Sequence, residues 1–122
     1  MARKTDASER RLKENINEFE FDTEAFIGVN PVTFNYKRDA VSSDEQAEAL
    51  NVGFILDDFE DAGVSEFLVY QAEGDDFKQL RYDLLAIYLH KVVQKQQETI
   101  KSLETRIEAL ESGVSFTYGN NQ

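Results

Sequence analysis

From Leu80 to Glu111 the chain runs without a Gly or Pro, and one heptad fits it throughout. Ala86, Val93, Ile100 and Ile107 fall at a; Tyr82, Leu89, Gln96, Leu103 and Leu110 fall at d. Apolar residues recurring every 3.5 positions on average put one continuous stripe on an α-helix. Such a helix is roughly 45 Å long, and a chain of 122 residues offers little else against which to pack it. Burial against other copies is the economical answer. β-Branched residues at a with Leu at d mildly favour two strands, and Gln96 at d fixes register at some cost in stability. On the seam alone, dimer and trimer both stay open. Gly113 is expected to stop the helix, leaving Val114–Gln122 as a polar tail, loose or folded back as one strand.

The rest of the chain divides by charge. Residues 1–16 hold five basic and three acidic side chains, residues 17–79 three and sixteen, and residues 80–122 five of each. The whole excess behind the net charge of −11 therefore lies in the middle segment. That balance argues against nucleic acid as a partner, since phosphate contacts need clustered Lys and Arg, and against anionic membrane surfaces. No apolar run approaches a membrane span, and Met1-Ala2-Arg3-Lys4 lacks the apolar stretch of a signal peptide. Zero Cys removes disulfides, thiolate metal sites and Cys nucleophiles. The expectation is a soluble protein of one modest domain, burying roughly two-thirds of its unfolded surface.

Local patterns before the long helix predict a small α+β region. Leu12, Ile16 and Phe19 form one stripe of a short amphipathic helix from Ser8 to about Phe19, capped by Asp6 or Ser8. Val32–Tyr36 alternates as a half-buried strand after Pro31. Ser42-Ser43-Asp44-Glu45-Gln46 supplies a capping box before a helix ending near Leu50, and Gly53–Leu56 is a compact apolar run. Phe67–Tyr70 is a further strand candidate, followed by a hairpin turn at Glu73–Asp76.

Chemistry is scarce. His90 stands alone at an e position with no second His or Cys to complete a transition-metal site. Asp57, Asp58, Glu60 and Asp61 lack the alternation, central Gly and terminal Glu of a calcium loop, so they read as a solvated acidic turn. No glycine-rich phosphate loop is present, and no cofactor or metal is expected. Ser8 and Lys13 remain. A neutral Lys amine can act as general base toward a Ser hydroxyl, which here would require burial or the neighbouring Arg10 and Arg11 to disfavour the charged form. Five residues along an ideal helix are about 140° apart, so the pair meets only if Ser8 precedes the first turn. Otherwise Ser8 is a cap and Lys13 a surface charge.

The run Ser8-Glu9-Arg10-Arg11-Leu12-Lys13-Glu14-Asn15-Ile16 closely resembles the opening of a family of intramolecular chaperone domains. These are the endosialidase-type domains at the C-termini of phage tail spikes, tail fibres and neck appendages. The similarity continues through Pro31–Lys37 and Gly53-Phe54-Ile55 and ends with Leu80–Leu85 leading into a coiled coil. The usual second residue is Asp; Glu9 keeps its charge.

The resemblance implies a homotrimer that assists assembly of the β-rich fibre or appendage preceding it, the client, and then cuts itself off. The scissile bond would be Ala7–Ser8, with Ser8 as nucleophile, Lys13 moving the proton, and Arg11 and Asn15 in supporting roles. Residues 1–7 would be a residual upstream segment, 8–79 the self-cleavage helix and client-gripping arms, 80–112 the coiled-coil trimerisation helix and 113–122 a tail. Such a protein is made in the host cytoplasm, joined to a tail or appendage precursor, and released during virion assembly. The arm region, at −13, would grip its client weakly, because like charges resist permanent packing. Two other readings compete: a coiled-coil oligomerisation tip that never cuts, and a Ser–Lys hydrolase of other substrates.

Overall fold

The computed structural model of the chain describes residues 7–120, with side chains through residue 113. A cap at Asp6, most of the upstream segment and the last two tail residues lie outside the described residues. Chain order is α1 (Thr23–Ile27), β1 (Val32–Phe34), α2 (Asp44–Glu48), β2 (Asn51–Gly53), α3 (Leu56–Asp61), β3 (Val69–Tyr70), β4 (Gln79–Leu80) and α4 (Leu85–Asn120). Single 3-10 turns lie at Arg10–Leu12, Arg38–Ala40 and Tyr82–Leu84. This is the expected mixture of short helices and small antiparallel pairs ahead of one long helix.

Each short element follows from a local signal. The Ser43 hydroxyl accepts from Gln46 N–H at 3.2 Å, and the Gln46 side chain accepts from Ser42 N–H at 2.8 Å. That reciprocal arrangement starts α2 where the capping pattern placed it. Asp22 caps α1 in the same way, accepting from Ala25 N–H. β1 and β2 pair antiparallel with Val32 opposite Gly53 and Phe34 opposite Asn51. β3 and β4 form the expected hairpin, Val69 opposite Leu80, turning at Gly74 with φ 89°.

Four expectations need correction. Asp57, Asp58, Glu60 and Asp61 do not form a turn; they lie on α3, whose Phe59 is fully buried. Acidic residues in a first helical turn are favoured by the macrodipole, and Phe59 anchors the inner face. Leu80 belongs to β4, so the long helix begins only after the 3-10 turn at Tyr82. Gly113 does not end α4, which runs through it to Asn120, so the tail holds no strand among the described residues. Gly costs a helix interior only about 1 kcal/mol against Ala, and no Pro follows.

The fourth correction is the N-terminal helix, which is absent. Only Arg10–Leu12 turns, as a single 3-10 turn; Asn15 takes φ 55°, and the chain then runs without helix as far as Asp22. Asn competes for local backbone hydrogen bonds and tolerates the left-handed region, and here the Asn17 side chain donates to the Asn15 carbonyl at 3.0 Å. The extended path is stabilised by packing. Phe19 and Phe21 both reach Tyr88, with ring centroids 4.9 and 4.8 Å away. Residues i and i+2 share a face only when the backbone is extended.

The core is built around Tyr88. Its ring stacks on Phe26 at 5.2 Å, and Phe26 contacts Phe59 at 5.6 Å. Val64, Leu68 and Val92 complete the buried set, with Leu84 and Leu85 packed against it. The Tyr88 hydroxyl donates to the Glu66 carbonyl, and burial, with the nearby Glu66 carboxylate, pushes the phenol up from its ordinary value. Only the first two turns or so of α4 enter this core.

A second junction ties the β1–β2 pair to the trunk. The Tyr82 hydroxyl accepts from Phe54 N–H at 3.0 Å, over a Gly53 whose Cβ, if present, would sit 2.6 Å from that oxygen. Gly53→Ala should therefore displace Tyr82 and cost about 1–2 kcal/mol, the lost hydrogen bond plus local repacking. In a Tyr82→Phe background the same change should cost clearly less. Urea unfolding of the four variants at equal protein concentration checks this coupling; additive losses would contradict it.

Candidate functional site

The candidate cutting segment begins in coil at Ala7, half-buried, and Ser8, exposed. Ser8 stands just before the 3-10 turn, whose N-cap is Glu9, so it does not cap a helix. Leu12 N–H bonds the Glu9 carbonyl and Lys13 N–H the Arg10 carbonyl, both at 3.0 Å. That single 3-10 turn lies between Ser8 and Lys13, with extended backbone at Glu9 and Lys13 on either side. Arg11 Nε donates to the Glu9 carboxylate at 2.7 Å, bracing the turn across its exposed side. Lys13, in extended backbone, ends it, and Asn15 two residues on takes the left-handed conformation. No hydrogen bond joins Ser8 to Lys13 among the described residues, and both side chains are exposed. The structure thus brings the motif residues onto one short turn without closing the pair.

Behind the turn, Glu18-Phe19-Glu20-Phe21 forms a strap across α4. Its two Phe rings face Tyr88, while Glu20 accepts from Lys91 at 3.2 Å and Glu18 lies 3.5 Å from the same ammonium. Lys95 approaches Glu20 at 3.9 Å. Strict alternation of Glu and Phe was the signal for this strap, a period of two that the looser 12/16/19 stripe masked. The hydrogen bond that Lys91 donates to Glu20, with the charges of Glu20 and Glu18, raises Lys91 above its ordinary value of 10.5.

The seam residues lie along α4 as the heptad requires, apart from Tyr82, which sits in the preceding 3-10 turn and bonds Phe54. Ala86 and Gln96 are exposed, and so are Leu89, Val93, Ile100, Leu103, Ile107 and Leu110, from 45% at Leu103 to 63% at Leu110. Tyr88 and Val92, at c and g, face the core instead. One helix therefore carries two apolar faces, and the single chain covers only one of them. His90 is exposed beside the strap. Among the described residues no group of three or more His, Cys, Asp or Glu is placed to hold a metal, and no helix is long and apolar enough to cross a membrane.

The family model described as chaperone of endosialidase, a peptidase family by name, matches residues 8–69, from Ser8 to the start of β3. The chain belongs to the endosialidase chaperone family. No curated protein and no solved structure matches it. The matched span takes in the Arg10–Leu12 turn, the strap and the β1–β2 pair; α4 lies beyond it. Membership supports an intramolecular chaperone role and the phage tail setting of such domains.

The strap's ion pairs give a pH signature. A Lys whose folded value is raised stabilises fully below the ordinary 10.5, and the contribution is lost as pH rises through the folded value. Lys91→Gln should thus be less stable than the parent chaperone at neutral pH. The gap should close as pH climbs beyond 10.5, read from urea midpoints across the pH series. A gap that stays constant would remove the ion pair as its cause.

Proposed function

We propose that the chain is an intramolecular chaperone that trimerises, assists folding and assembly of the β-rich phage fibre or appendage preceding it, and releases itself by a single Ser–Lys cut at Ala7–Ser8. The observation that carries this reading is the family match, which opens on Ser8 and spans the turn bearing Lys13. The uncovered seam supports self-association; as a trimer, it would register three chains at one end and so lower the loop-closure entropy that slows non-local β pairing.

In the cutting step Lys13, as a neutral amine, takes the Ser8 hydroxyl proton while Ser8 Oγ attacks the Ala7 carbonyl carbon. The C–N bond breaks, the leaving Ser8 nitrogen receives that proton, and an ester links Ala7 to Ser8 Oγ. Water then hydrolyses the ester, giving the Ala7 carboxylate and the Ser8 hydroxyl. The Glu9–Arg11 pair and Asn15 shape the turn that carries the nucleophile and its base. Nothing in the reaction calls for a cofactor, and each chain acts once.

The chain carried on its upstream fibre should appear as two fragments on a denaturing gel. Ser8→Ala and Lys13→Ala should each stay full-length, a loss of at least about 10³-fold in rate, as for removal of a nucleophile or its base. A parent chain that stays intact would favour the non-cutting oligomerisation tip. Cutting that persists in Ser8→Ala would remove Ser8 as nucleophile.

A further inference from the structure

An apolar groove of about 590 Å³ opens where the strap crosses the start of α4, walled by Phe19, Phe67, Leu84, Ile87 and Tyr88. Glu18, Glu20 and Glu66 stand on its rim. Phe67 holds φ 68°, a costly backbone state for a bulky residue; the residue remains 60% exposed, and its ring makes an edge-on contact to Phe19 at 5.9 Å. Strain of that kind persists where the surroundings over-determine it, often where a surface has a task. Here it holds an apolar ring at the lip of a groove.

The same chain carries a surface of the opposite character. The turn Arg10-Arg11-Leu12-Lys13 presents Leu12, 39% exposed, among three cations. Ile16 beside it is also exposed, and none of residues 8–16 lines the groove. Arg10 and Glu66 have no ion-pair partner among the described residues. Two different, complementary surfaces on one chain, both uncovered, are what a head-to-tail contact in a closed ring requires.

We propose that the groove docks the basic cutting turn of a second copy of this chain, with Leu12 seated among Phe19, Phe67 and Ile87 and Arg10 against Glu66. The inference rests on the trimeric self-cutting reading and sharpens it: each cutting turn is then held by a neighbour, so a lone chain holds its turn in no groove and the cut waits for assembly. Timing would come from the interface itself, with no outside trigger.

Docking can be read without cutting. The chain contains no Cys, so Leu12→Cys in one tagged chain and Ile87→Cys in another, both also Ser8→Ala, can be co-expressed and joined with a short bismaleimide. A covalent band carrying both tags is expected. No such band, or cross-linking only when both substitutions sit on one chain, would overturn the proposal. Cutting gives the second readout on upstream fusions: Glu66→Arg and Arg10→Glu should each slow it about two- to fivefold, the range of an exposed ion pair, and their combination should restore it. Both singles cutting at the parent rate would overturn the proposal. A two-tag band in a chain whose parent never cuts would sustain the docking and sink the self-cutting reading, so the two failures are distinguishable.

Discussion

The structure depends on a helix that has more apolar surface than one chain can cover. At its start, α4 turns Leu85, Tyr88 and Val92 onto the small α+β unit, and that contact is what gives the unit a core at all. The heptad stripe on the adjacent face stays uncovered by this chain from Leu89 to Leu110. Exposed apolar surface costs roughly 25 cal/mol per Å², so a continuous row of exposed Leu, Ile and Val is a strong drive to associate. The short elements, two- and three-residue strands and five- and six-residue helices, would be marginal without the trunk they lean on.

Seen from that trunk, the charge distribution has a clear division of labour. Cations are spent where they hold something: Lys91 and Lys95 pin the strap, Lys78 reaches from the β3–β4 hairpin to Glu60 at 2.9 Å, and Arg81 pairs with Asp83 at 2.8 Å. The Glu60 contact raises Lys78, and the Arg81 guanidinium holds the Asp83 carboxyl below its ordinary range. The remaining middle-segment acids largely face solvent. Against that acidic surface, the basic turn at Arg10–Lys13 is the odd piece out.

Much of this architecture was legible because the relevant signals are local. Heptad phase, the Ser43 cap and the Gly74 turn each specify conformation within a few residues. The N-terminal segment was not legible in the same way. Leu12, Ile16 and Phe19 do fit a helix stripe, but the stability of that stripe depended on a partner surface that Tyr88 offers only to an extended chain. The α3 acids were misjudged for a related reason, since one residue, Phe59, decides the element through a core contact distant in sequence. Of the candidate site, the motif residues could be named, but the 3-10 turn they surround was read as part of a longer helix. The groove was hidden, because it is assembled from the strap, the Phe67 corner and α4, which only folding brings together.

The most direct test of the central claim is the number of chains per particle, by sedimentation equilibrium of the chain alone at micromolar concentration. Three chains are expected, falling to one when Ile100 and Leu103 are both replaced by Asp in the middle of the seam. A parent chain that sediments as a single copy would contradict the claim that α4 buries its second face against neighbours.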